Sequence, residues 1–134
     1  MTLTCSLQKG GIMLTTLAIL HLCAAVFHIL FWKLFNWRES LRKLSPVNRS
    51  TMQVLNICLI FVFVAVGYLL LFHQVQLTYT ALGKAVLICI SAFWVMRAIL
   101  QPIFYPIKHI GSILLLIICI IMALLSILPV LQQL

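Results

Sequence analysis

Glu39 is the only acid in the 134 residues, so any chemistry must be carried by histidine, arginine and amide side chains. Paired-carboxylate catalysis and carboxylate–metal sites cannot be assembled from one carboxyl group. A proton-coupled exporter of the small four-helix multidrug type would want an acid in its first helix, and none is there. His21 and His28 lie in one apolar run, seven residues apart. At about 100° per residue they share a helix face, separated by roughly 10 Å of rise, too far to grip one metal ion. Ala24 and Ala25 between them let a neighbouring helix approach closely, and Trp32 continues the stripe. A second run opens with Gln53 and Asn56, and Asn56, Phe63 and Gly67 fall on one face with Tyr68 beside it. In a third, Trp94, Arg97 and Gln101 follow at spacings of three and four and form one patch.

Each of these residues has a structural reading beside the chemical one. Imidazoles and amides tie helices together through hydrogen bonds, and Arg97 and Lys84 can snorkel to lipid phosphates. If Arg97 points inward instead, it meets His28, Asn56 and Gln101 at similar depth. That arrangement makes a donor-rich pocket suited to an anionic or carbonyl-bearing ligand. His73 and His109 fall at opposite interfaces, where solvent satisfies them. A haem held by two histidines needs them on facing helices at one depth, and the one conceivable pair is His28 with His109. The expectation is therefore no cofactor, no metal, and a reading that leans away from an enzyme.

The elements that must position these residues follow from composition. The chain is 65% hydrophobic and 7% charged, with a mean hydropathy of +1.25, against roughly 45–50% apolar and about 25% charged in soluble domains. Apolar stretches at 11–32, 52–72, 81–100 and 110–130 each reach the length of a membrane helix, and they lack the alternation of a membrane barrel. The fold predicted is an all-α membrane protein, a single four-helix transmembrane domain over 1–134. The first run exceeds a secretory signal core and passes into Phe31-Trp32-Lys33, so it reads as a retained helix. Pro46 is expected to interrupt the segment 33–50, and Gln101-Pro102 with Pro106 to end the third helix. The polar stretch from His73 to Thr80 reads as a short loop, and Pro129 falls in the last turn of the fourth helix. The five cysteines include no Cys-x-x-Cys pair; Cys23, Cys58, Cys89 and Cys119 are spread one per apolar run and read as small packing residues. The spacing argues against a quinone-linked thiol oxidase.

The basic excess falls mainly between the apolar runs, which points to topology and lipid contact rather than nucleic acid. Lys33, Arg38, Arg42, Lys43, Arg49, Arg97 and Lys108 lie on one side of an alternating four-span chain, and Lys9 and Lys84 on the other. The positive-inside rule places the former in the cytoplasm and both termini outside. The sequon Asn48-Arg49-Ser50 would then stay unmodified. Segment 33–50 becomes a basic interfacial hairpin whose Lys33, Arg38, Arg42, Lys43 and Arg49 contact lipid phosphates.

The run from Leu20-His21 through His28 to Phe31-Trp32, then a basic hairpin and a second helix opening with Gln53 and Asn56, resembles a family of small bacterial inner-membrane proteins built on a domain of unknown function. The resemblance covers about the first half of the chain and implies a four-helix membrane fold but no activity. Where that family commonly carries a glutamate, this chain has His28. The functional expectation is a non-enzymatic binding or accessory module of a bacterial inner membrane. Its face of His21, His28, Trp32, Asn56, Trp94, Arg97 and Gln101 would engage an anionic lipid head group or a membrane-protein partner. So small a bundle has few interior positions, so a homo-oligomer or a partner subunit is expected, with Ala24, Ala25 and Gly67 at helix contacts. The alternative is an oligomeric small-solute transporter or channel in which the histidines titrate.

Overall fold

The computed structural model describes residues 2–105 and 108–133, with side chains from residue 10 onward. The roles expected of Lys9, Cys5 and Pro106 lie outside what is described. The elements in order are α1 (Thr2–Ile29), α2 (Phe31–Leu34), α3 (Trp37–Ser40), a single 3-10 turn (Leu41–Lys43), α4 (Pro46–Phe72), α5 (Gln74–Tyr79), α6 (Ala81–Phe104) and α7 (Ile110–Leu131). Four helical segments are long and apolar enough to cross a membrane, namely Gly10–Ile29 and the whole of α4, α6 and α7. The protein is an all-α, multi-pass membrane protein. Helices suit these sequences because each satisfies its own backbone hydrogen bonds where no water is available. Phe61, Leu82 and Ile110 are each more than 70% exposed, which is the expected outer surface of a bundle whose solvent is lipid.

The helix ends depart from the sequence reading in three places, each with a local cause. The first long helix stops at Ile29 rather than at 32, and Trp32 belongs to the short α2. Asn36 then turns the chain with a left-handed backbone (φ 45°), a conformation that asparagine tolerates better than most residues. Pro46 begins α4 rather than interrupting the segment. It occupies the first helical turn, where its missing N–H is no loss, and the Ser45 hydroxyl accepts from the Asn48 backbone N–H at 3.3 Å. At the far end of α6, Pro102 is carried inside the last turn and the helix runs on to Phe104. The stretch expected as a loop after Phe72 is the short helix α5.

Two antiparallel pairs build the bundle: α1 with α4, and α6 with α7. Contact between α1 and α7 joins the pairs, and α5 packs on α6. Gly67 permits the first pairing, since a Cβ there would stand 3.0 Å from Leu22 Cδ2 and 3.6 Å from the Ala18 carbonyl oxygen. Ala18 and Ala25 are buried on the same seam. Gly83 is more constrained, because a Cβ would collide with the backbone of Gln76 and Leu77 in α5. Leu14, Leu17, Leu70, Leu87, Cys119 and Met122 form the buried apolar centre, and Cys23, Cys58 and Cys89 face outward.

Candidate functional site

His21 is buried where α1 faces α6, and both ring nitrogens are used within the protein. Nδ1 lies 2.8 Å from the Leu17 carbonyl oxygen and Nε2 lies 3.2 Å from the Trp94 indole nitrogen. A carbonyl can only accept and an indole can only donate, so Nδ1 carries the proton and Nε2 accepts. Phe63 of α4 stacks on Trp94 with ring centroids 5.7 Å apart and an 11° interplanar angle, and His21 meets both rings edge-on. Large rings thus bridge helices whose backbones do not touch closely.

About two turns toward the other end, His28 and Asn56 clamp α1 to α4 through two bonds. The Asn56 amide donates to the His28 carbonyl oxygen at 3.0 Å, and its Oδ1 faces His28 Nδ1 at 2.8 Å. Because that oxygen can only accept, His28 Nδ1 is the donor. The imidazole stacks on Phe31 at 4.3 Å. Nε2 has no hydrogen-bond partner among the described residues.

The remaining members of the expected face take separate positions. Arg97 is half-buried, with its guanidinium 5.7 Å from the centre of the Tyr105 ring. Gln101 is buried and its Nε2 donates to Ser112 Oγ at 2.9 Å, leaving Oε1 without a partner among the described residues. Trp32 is half-buried and meets Trp37 edge-on at 5.2 Å. His21 and Trp94 therefore form one tie, His28 and Asn56 a second, and Gln101 with Ser112 a third. Residues the sequence reading passed over include Ser91, which donates to the Ala123 carbonyl at 3.0 Å, and Gln74, which donates to Thr15 Oγ1 at 3.0 Å. Polar residues inside apolar runs are the signal that would have found Ser91.

Trp32 instead helps enclose a groove of about 400 Å³ between α2, α3, the 3-10 turn and the first turns of α4. Trp32 and Trp37 supply its aromatic walls, Leu41 and Gln53 complete the lining, and Lys33, Arg38, Arg42 and Arg49 bring the charge. Lys43 is not in the lining. Arg49 Nε donates to the Leu41 carbonyl oxygen at 3.1 Å, which fixes the guanidinium stem and leaves its two terminal nitrogens available. Glu39 is absent from the lining and accepts from Asn36 Nδ2 at 3.0 Å. A smaller cavity of about 270 Å³ lies at the opposite end of the bundle, where Gly11, Gln74, Thr78 and Gln132 are among the lining residues and none of the described ones is charged. Four cations and two indoles line this one opening. No protein-family model, curated protein or solved structure matches this chain.

Proposed function

We propose that the protein is a non-enzymatic binding module of a bacterial inner membrane that holds an anionic lipid head group at the cytoplasmic surface. The observation that carries this reading is the groove, where Lys33, Arg38, Arg42 and Arg49 surround one opening and the only carboxylate is engaged elsewhere. Basic residues beside an anionic leaflet contribute about 1 kcal/mol each, and arginine can grip a phosphate through two parallel N–H bonds. Trp32 and Trp37 suit the boundary between head groups and acyl chains, where indoles concentrate. The intramembrane histidines and amides serve this reading as ties that hold α1 and α4 in place beneath the groove. With most of its apolar side chains facing outward, the bundle would work as a homo-oligomer or as an accessory to a membrane-protein partner.

Thermal unfolding in lipid nanodiscs tests the proposal. A ligand that binds only the folded state stabilises it by mass action, so phosphatidylglycerol added to zwitterionic discs should raise the Tm by a few degrees. The combined Arg38→Gln and Arg42→Gln variant should lose that rise. Equal Tm values with and without anionic lipid would contradict the proposal.

One observation favours the alternative of an oligomeric solute pathway: His28 Nε2 is free of partners among the described residues. In that case His28→Gln would change the pH dependence of solute flux in proteoliposomes. Flux indifferent to pH and to this substitution would remove the reading.

A further inference from the structure

The groove's charges are spread over four consecutive elements: Lys33 is on α2, Arg38 on α3, Arg42 on the 3-10 turn and Arg49 on α4. All four line the one groove. A single phosphodiester carries one negative charge, and it can meet two of these side chains at close range while leaving the others facing one another. Like charges brought together around one opening repel, and no carboxylate lines this one. The volume of about 400 Å³ also exceeds what one phosphate group fills. Lys33, Arg38 and Arg42 are exposed and able to move toward a ligand, while Arg49 is half-buried and anchored on the Leu41 carbonyl. The site therefore has one fixed guanidinium and three adjustable cations.

From this we infer that the groove selects a lipid head group bearing two phosphates over one bearing a single phosphodiester. The inference rests on the reading of the groove as a lipid site. Two linked phosphates can span the opening, one against Arg49 and the other against the cations of α2, α3 and the 3-10 turn. Trp32 and Trp37 flank the acyl chains. A free diphosphate has the same charges but gains nothing from the indoles, so the lipid is the preferred source.

The test measures binding to the intact protein in mild detergent, by quenching of tryptophan fluorescence, with three probes. These are diphosphatidylglycerol, phosphatidylglycerol at equal phosphorus, and inorganic pyrophosphate. The inference expects diphosphatidylglycerol to bind at least about tenfold more tightly than phosphatidylglycerol, a margin equivalent to one well-made charged contact. Arg38→Gln with Arg42→Gln should reduce that margin to near unity. Lys43→Gln, a basic change on the same hairpin outside the lining, should preserve it and control for loss of general surface charge. Helical content measured on each variant guards against misfolding, and all three side chains are exposed. Equal affinity for the two lipids would overturn the selectivity while leaving the lipid site standing. Pyrophosphate binding as tightly as diphosphatidylglycerol would overturn the assignment to a lipid. Absence of binding by all three probes would overturn both the inference and the reading beneath it.

Discussion

The imidazole of His21 gains a donor's and an acceptor's role from two different partners, so its contribution is divisible by substitution. Trp94→Phe keeps an aromatic ring beside Phe63 and removes the indole N–H that His21 Nε2 accepts, along with part of the buried ring volume, which the cycle subtracts. Interhelical hydrogen bonds in membranes average about 0.6 kcal/mol and reach about 1.7 kcal/mol. A double-mutant cycle of Trp94→Phe with His21→Leu, read by unfolding equilibria in micelles, should return a coupling in that range. A coupling indistinguishable from zero would mean the two rings merely pack. Asn56→Leu should cost more than Trp94→Phe, because it strands both His28 Nδ1 and the His28 carbonyl, and unpaired buried groups bear their full desolvation cost. The shared face of His21 and His28 was legible from spacing, and both indeed border Phe63. Their partners were not legible. In a helix that is apolar all round, the pattern does not say which face is inside, and lipid is as apolar as the core.

At the scale of elements, small residues decide where helices can meet. Gly83→Ala drives a methyl group into the backbone of α5, and overpacking of this kind costs about 1–3 kcal/mol. Gly67→Ala meets mainly the end of the flexible Leu22 side chain, so it should cost less than about 1.5 kcal/mol. Unfolding of the two variants side by side checks the order, and a reversed order would contradict the packing described. Ser45→Ala should remove about 1 kcal/mol by deleting the cap of α4. The four long helices could be read from apolar length alone, since nothing else fits a stretch of that length. Their ends could not, because proline is ambiguous. Pro46 fits a first turn as well as a break, and Pro102 near a helix end sacrifices little. The helix α5 escaped notice because its two glutamines and Thr78 alternate with apolar residues and show no helical period; Leu77 alone is buried.

Across the whole molecule, the arginine-rich groove and the smaller cavity are separated by the length of the bundle. Arg38, Arg42 and Arg49 frame one end, while Gln74, Thr78 and Gln132 line the cavity at the other. The proposed function puts the groove on the cytoplasmic side, as the positive-inside rule expects. In a background freed of native cysteines, Gln76→Cys should react with a membrane-impermeant maleimide on intact cells, and Ser40→Cys should react only after lysis. The opposite pattern would reverse the topology. The basic residues were visible as a cluster in the sequence, and their assembly around one groove was not, because it needs three short turns and the start of α4 to fold on one another. The central claim is that this groove holds an anionic lipid, and native mass spectrometry of the protein extracted gently from its own membrane addresses it most directly. The account predicts a retained anionic phospholipid on the wild type that disappears in the Arg38→Gln and Arg42→Gln variant. A wild type free of such lipid, or a variant that keeps it undiminished, would contradict it.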